Sequence, residues 1–467
     1  MSLASFSRKG AFTMAAFRIE FTNERILPNS GIALVGEILH RSGFRDRVNL
    51  ADITGKRSGH QIKDGDIFTT FIALCCMGDP DYAAVHEMDD DPVFYLDALH
   101  MDRIPSEEAL RQRMDKIGDS KRSLLLQENV KMFKRNGISP SALPNGYVPV
   151  DMDVTPCDNS KTKKEGVSRT YKGFDGHAPM MAYIGTEGFM INTELREGKQ
   201  HCQKHTPEFL RETIRLCKSI TDKPLLFRLD SGNDAAENLG ILLEEGCYFI
   251  IKRNLRQENR EGWLSSIKEC CQDITSPREG KTIYIGSTFK EVSYTDTQRN
   301  KKTHTLKAIY EITERTIDKH GQFLMPHDVE VNMYWMNLPF LDREVIDYYH
   351  AHGESEQYHS EFKTDMNMER VPSGKFETNK LVFELGMIAY NILRIIGQES
   401  LKEKDNPRKR EVKRRRLRTV IEHLVMMASH VTEHARQKII GLGISNIWRR
   451  TFDRLYSAFS APPVCLD

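Results

Sequence analysis

Three acidic residues stand where carboxylates could do chemistry together. Asp153 closes an Asp-x-Asp-x-Thr run in "GYVPVDMDVT", Asp230 ends the apolar run "KPLLFRLD", and Glu356 lies in "YYHAHGESEQYHSEFK". The last stretch scans as a helix despite Gly353. At 3.6 residues per turn, Tyr349, His352, Glu356 and Lys363 fall within roughly 60° of one another around its axis, a polar stripe opposite the apolar back of Tyr348, Ala351, Tyr358 and Phe362. Carboxylates drawn together from two strand ends and a helix make a cluster of negative charge that is costly unless cations neutralise it. Hard divalent ions that take oxygen ligands, Mg²⁺ or Mn²⁺, suit such a cluster. Two of them ~3.5–4 Å apart clamp the attacking and leaving oxygens of a phosphodiester displacement. Alone, each acid reads as a loop cap or a surface residue. Asp151 shares a strand face with Asp153, because side chains alternate with period 2, and remains a rival for the first position.

The elements that must position these residues follow from periodicity. From Ile32 to about Lys116 the pattern is helical, through "GIALVGEILHRSGF", "GDIFTTFIALCCMG" and "PSEEALRQRMDKIG". Around Asn145 it changes to short β-like runs, "GYVPVDMDVT", "APMMAYIG" and "FMINTEL". A helix, "TPEFLRETIRLCKSI", then leads to the Asp230 strand, the helix "AAENLGILLEEG" and the strand "CYFIIKRN". This alternation predicts an α/β sheet with parallel members, and such sheets place ligands at the carboxyl ends of their strands. From Leu255 to Pro339 the order breaks into a helix and alternating strands, "KEVSYTDTQ", "THTLKAIYEIT" and "VEVNMYWMNL", a β-rich insertion. The Glu356 helix follows, then "TNKLVFELGMIAYNILRIIG", an apolar helix expected to cover the sheet. The chain divides into a helical N-terminal region (1–144), a first core part (145–254), the β-rich insertion (255–340), a second core part with the Glu helix (341–400) and a basic helical C-terminal region (401–467).

Tyr349-x2-His352-x3-Glu356-x6-Lys363 resembles the Tyr-x2-Arg-x3-Glu-x6-Lys signature of the DDE transposases of bacterial insertion sequences, in the branch whose ribonuclease H-like core carries a β-rich insertion before the final Glu. "DMDVT" and "LFRLDSGND" resemble the two Asp strands, and "YFIIKRN" and "ERVPSGKFETNKLVFELGMIAYNIL" the segments that follow each site. The similarity runs from about Asn145 to Gly397, and more weakly through "ASHVTEHARQKIIGL". It implies a ribonuclease H-like core in which Asp153, Asp230 and Glu356 hold two Mg²⁺ ions, with Mn²⁺ as substitute. Activated water would cut the phosphodiester at the element's end, and the freed 3′-OH would attack target DNA. Asp153 is preferred over Asp151 because the family's first Asp tends to precede x-Thr, here Val154-Thr155. Tyr349 and Lys363 match positions that grip DNA phosphates. His352 stands where the signature has Arg, so a fork of permanent charge is replaced by one or two donors that depend on pH, and the strength of that grip stays open. The partners implied are double-stranded DNA, at transposon ends and target, and a second copy of the chain in the DNA complex.

The 467 residues, 39% hydrophobic with net charge +1, exclude no partner class by charge alone. The charge is uneven, however. "HEMDDDPVFYLD" is acidic and "KEKDNPRKREVKRRRLR" (Lys402 to Arg418) densely basic, so a polyanion would meet the C-terminal part first, unless that run is a solvated linker. Nine cysteines without a C-x-x-C pair argue for free thiols in a reducing compartment. No apolar run approaches ~18 residues, so no membrane span is expected. "MSLASFSRKGAFTMAAF" lacks the apolar stretch of a signal peptide, and Met14 is a candidate start. The expected location is the cytoplasm, at the bacterial nucleoid when bound to DNA. Trp335 could stack on an unpaired base but fits a core better, "GKQHCQKH" matches no standard zinc spacing, and "PSEEALRQRMDKIG" reads as either a recognition helix or a core helix. Glu-x-x-His at Glu37–His40 and Glu356–His359 would suit a di-iron carboxylate oxidoreductase, which needs four converging helices and not strands. A catalytically inactive, transposase-derived DNA-binding protein is the alternative from the binding class.

Overall fold

The computed structural model describes residues 19–55, 61–405, 407, 412–435 and 437–463. The Met14 start, Cys465 and the middle of the basic run, at 406 and 408–411, lie outside the described residues.

Five strands carry the site. β1 (Val148–Val154) runs antiparallel to β2 (Met180–Ile184), which pairs with β3 (Phe189–Glu194). On its other edge β1 is parallel to β4 (Leu225–Leu229), which is parallel to β5 (Tyr248–Lys252). The crossovers between β3, β4 and β5 are helices α1 (Thr206–Lys218) and α2 (Ala236–Glu244). Nearly every residue of β1, β2 and β4 is buried, which is why these strands read as continuous apolar runs and not as alternating ones.

The segment after β5 contributes a short helix (Arg260–Ile267) and β6 (Asp273–Arg278), β7 (Lys281–Thr295), β8 (Lys301–Ile317) and β9 (Phe323–Met336). These strands do not form a sheet of their own. β9 returns antiparallel beside β5, Trp335 opposite Ile251, so nine strands make one sheet in the order β6-β7-β8-β9-β5-β4-β1-β2-β3.

Helix α3 (Phe376–Glu399) covers the sheet. Its length and composition would suffice to cross a membrane, contrary to the expectation that no such run exists, yet 94% of its apolar window is buried inside the fold. Asn391 explains its seat, because its amide donates to the carbonyl of Met190 at 2.7 Å and accepts from that residue's N–H at 2.8 Å, anchoring α3 to β3. The helix Asp64–Met77, buried at every position, packs on α3 and joins the N-terminal helices to the core of the sheet.

The C-terminal region departs from the all-helical expectation. Ser429–His434 and Gln437–Leu442 form a hairpin, and Arg25–Leu27 pairs with its first strand to make a small sheet. Chain segments about four hundred residues apart supply each other's backbone partners there, which no local pattern announces. The helix Arg449–Phe459 does form, with Phe452, Leu455 and Phe459 turned inward.

Candidate active site

The register of β1 on β4 sets Asp151 opposite Arg228 and Met152 opposite Leu229. Continued one step, it brings Asp153 to the level of Asp230, and the two-residue period puts all four charged residues on one face. One rung therefore joins opposite charges and the next joins like charges.

The first rung is closed. Arg228 forks onto Asp151, with Nε and Nη2 each 2.7 Å from a carboxylate oxygen, while its Nη1 donates to the carbonyl of Tyr348 at 3.0 Å. Nδ1 of His352 lies 3.0 Å from Oδ1 of Asp151. Burial pushes the Asp151 carboxyl up, but Arg228 and then His352 outweigh it and hold the group below the ordinary carboxylate value. Burial pulls the His352 imidazole down, and the Asp151 carboxylate more than offsets this, so it is raised. Asp151 is thereby spent on structure, which separates it from Asp153.

The second rung is open. Among the described residues neither Asp153 nor Asp230 forms an ion pair with a lysine or arginine. Oδ1 of Asp153 accepts from the N–H of Val154 at 2.7 Å, and Oδ1 of Asp230 accepts from the Asn233 amide at 2.6 Å. Burial, then the charge of Asp230, pushes the Asp153 carboxyl up to about 7. A carboxylate pair left in this state at strand ends is an arrangement that a cation would relieve.

The helix that follows the insertion is not continuous. It runs as α4 (Asp342–His350), a tight turn at Ala351–Gly353, α5 (Glu354–Ser360) and a widened π turn at Glu361–Asp365, the kind of irregularity that recurs at functional sites. Nor does the polar stripe face outward throughout. His352 is only 8% exposed, and His359, one turn beyond Glu356, 5%. Nδ1 of His359 lies 3.2 Å from the hydroxyl of Tyr183 and its Nε2 3.8 Å from Oδ2 of Asp153. Burial, and secondarily the charge of His352, pushes this imidazole down to about 3. Tyr349 is half-buried, with its ring 5.8 Å from that of His352, and burial followed by the charges of Asp230 and Asp153 raises its phenol. Nζ of Lys363 donates to the carbonyl of Pro156 at 2.6 Å and sits 3.4 Å from Glu369, clamping the loop after Asp153.

Glu356 is exposed, at the rim of a cavity of about 400 Å³ that it shares with Gln357, Glu361, Arg414 and Arg416. Among the described residues no three His, Cys, Asp or Glu side chains stand together as a metal cage. The structure thus brings Asp153 and Asp230 together and does not bring Glu356 to them; Glu356 faces the cavity shared with Arg414 and Arg416 instead.

Around this arrangement stand Arg228, which the sequence reading did not single out, His359, which it met only in the di-iron Glu-x-x-His pattern, and Arg414, which it met only within the basic run. An arginine inside the apolar run "LLFRLD" was a legible sign of a buried partner. Arg414 ends on Glu361 at 2.6 Å and on Gln357 at 2.9 Å, and Arg416 grips Asp365 through two bonds, so this part of the basic run is pinned to the Glu356 helix and is not a loose linker. Trp335 is core, its indole N–H donating to Asp234 at 2.9 Å. In "GKQHCQKH" the Cys202 thiol donates to the carbonyl of Gly232 at 3.1 Å, in a turn beside the Asp230 loop. Of "PSEEALRQRMDKIG", the helix Glu107–Ile117 buries Leu110, Met114 and Ile117 against the core.

The model of the family described as Transposase DDE domain group 1 matches residues 11–462. No curated protein matches the chain. Among solved structures, a piggyBac transposase synaptic complex with hairpin DNA aligns over 93% of this chain and 80% of its own at 10% identity, with a TM-score of 0.37, a likeness too slight to carry an argument. The family match implies a metal-dependent nuclease and transposase activity, and DDE transposases generally use divalent metals. With that match spanning almost the whole sequence, the chain belongs to the DDE transposases, domain group 1.

Proposed function

We propose that this protein is an insertion-sequence transposase of bacterial type that hydrolyses phosphodiesters at the element's ends and joins the freed 3′-OH to target DNA. The observation that carries the reading is the uncompensated pair Asp153 and Asp230 at adjoining carboxyl ends of parallel strands, in a chain of the DDE family. The strand order β3-β2-β1-β4-β5, three antiparallel members followed by two parallel ones, supports a ribonuclease H-like core.

Asp153, Asp230 and Glu356 are assigned as the carboxylates that hold two Mg²⁺ ions, or Mn²⁺ in their place. Glu356 is chosen for its signature position and its face, lying between His352 and His359, both of which turn in toward β1. Ions held there would supply a clamp on the attacking and leaving oxygens of an in-line displacement. The chain's own groups hold the frame. Arg228 and His352 lock α4 and the following turn to β1 through Asp151, and Lys363 fixes the loop that leaves Asp153. Tyr349 and Lys363 face DNA phosphate in this reading, while Nδ1 of His352 is already engaged by Asp151, so His352 contributes to DNA only through its other nitrogen. Double-stranded DNA and a second copy of the chain are the partners, in the bacterial cytoplasm.

The test is cleavage of a labelled duplex carrying the element's own end, with Mg²⁺, Mn²⁺ or EDTA, by wild type and Glu356→Ala. Nicking at the boundary only with metal, and binding without cutting by Glu356→Ala, is the expected result. Specific binding with no cutting by either protein would replace the reading with that of an inactive DNA-binding descendant.

A further inference from the structure

We propose that His359 is a nitrogen ligand of the divalent ion held by Asp153, which gives the site a bias toward Mn²⁺-class ions over Mg²⁺. The proposal rests on the metal-dependent reading above and adds a ligand to it.

The imidazole is buried at 5% exposure, and its Nε2 has no hydrogen-bond partner. A buried polar atom left this way is uncommon and calls for a cause. That atom points at the open rung, 3.8 Å from Oδ2 of Asp153. The gap is too long for a hydrogen bond, yet close enough for both atoms to reach one ion, since each ligand would stand ~2.1 Å from it.

The neighbours fit a lone pair at Nε2. The Tyr183 hydroxyl lies 3.3 Å from Sδ of Met181 and 3.2 Å from Nδ1 of His359, and when its proton goes to the sulfur its oxygen accepts the Nδ1–H. The Tyr183 ring stands nearly edge-on to the imidazole, centroids 5.2 Å apart, and holds its plane. With Nδ1 protonated, Nε2 presents a lone pair. A lone pair and a carboxylate oxygen then face each other, two acceptors that one shared cation would satisfy. Ligating histidines are held in this way, with the far nitrogen bonded to a fixed partner.

The chemical consequence is selectivity. A site with a nitrogen ligand binds divalent first-row ions with affinity that rises from manganese onward, whereas magnesium favours oxygen donors and water. A carboxylate-only site lacks that bias.

The experiment is a Mn²⁺ titration of the full chain followed by electron paramagnetic resonance, with Mg²⁺ affinity measured by competition, for wild type, His359→Gln, His359→Ala and Asp230→Asn. Circular dichroism checks that each is folded. The expected result is a loss of Mn²⁺ affinity of about tenfold or more in both His359 variants, by the scale of losses at metal sites, with Mg²⁺ affinity changed less than twofold. Electron spin-echo spectra of bound Mn²⁺ should show imidazole nitrogen in wild type and none in His359→Gln. That wild-type signal needs no variant to fold. Equal Mn²⁺ affinity in wild type and both His359 variants, or absent nitrogen coupling in wild type, overturns the proposal. If Mn²⁺ binding then still depends on Asp230, the metal-dependent reading survives without it. If Asp230→Asn leaves binding unchanged as well, both fall.

Discussion

Two successive rungs of the same strand pair hold opposite electrostatic arrangements. On the first, Asp151 meets the guanidinium of Arg228 and the imidazole of His352, all buried and all bonded. On the second, Asp153 meets Asp230, and its carboxyl is pushed up to about 7. Both aspartates lie on one strand, on one face, two residues apart. What separates them is the residue across the sheet, Arg228 for one and an acid for the other. A buried carboxylate with a fork partner serves the frame, whereas one facing another acid carries a charge that a cation would relieve.

The largest stability effect should come from breaking the closed rung. Arg228→Ala leaves the buried Asp151 charge with His352 alone and should cost about 3 kcal/mol, read as a shift in the urea midpoint. If the loss is under about 1 kcal/mol, the closed rung does not hold the frame and the contrast between the rungs fails.

The open rung should behave in the opposite sense. Because the folded Asp153 carboxyl is raised from its ordinary 3.8 to about 7, the folded state keeps a proton that the unfolded chain has already released. Metal-free protein should therefore lose stability as pH rises from about 4 to 7, with no further loss from this group above that. Asp153→Asn should flatten this slope and make the chain more stable than wild type at pH 8 in EDTA, measured by denaturant unfolding at pH 5 and pH 8. A variant less stable than wild type at pH 8 would mean that Asp153 belongs with the structural acids.

The smallest effect falls on the link between the closed rung and the helix. His352→Gln weakens a hydrogen bond to a charged group and should cost about 1.5–3 kcal/mol at most. The folded imidazole is raised above its ordinary 6.5, so this stabilisation is fully present below that value and fades as pH rises through the elevated one. The gap between wild type and His352→Gln should thus be wider at pH 6 than at pH 9. A constant gap would assign His352 a packing role alone.

How far the site was legible follows from the range over which each signal acts. Asp153 and Asp230 could be placed at strand ends because an apolar run that stops on an acid is a local pattern. The alternation of helices and strands is local in the same way, and the mixed α/β architecture agrees with it. Periodicity could not tell Asp151 from Asp153, since period 2 puts them on one face and the deciding partner lies on another strand, and only the family resemblance preferred Asp153. The stripe on the Glu356 helix was legible as a stripe, but not its burial. His352 and His359 turn inward, Glu356 stays out, and only the position of β1 and β2 decides that. The hairpin after Met427 escaped notice for a related reason, because Arg25–Leu27 completes it from the other end of the chain.

The sequence by itself determined the repeating units, namely apolar strands ending on acids, helices between them and a polar stripe at helical spacing, because those depend on neighbours within a few residues. The tertiary structure alone decided which carboxylates are neutralised and which are not. Coulomb energy and desolvation depend on distance and burial in space, and one step of parallel register, Arg228 against Asp151 and then Asp230 against Asp153, sets both.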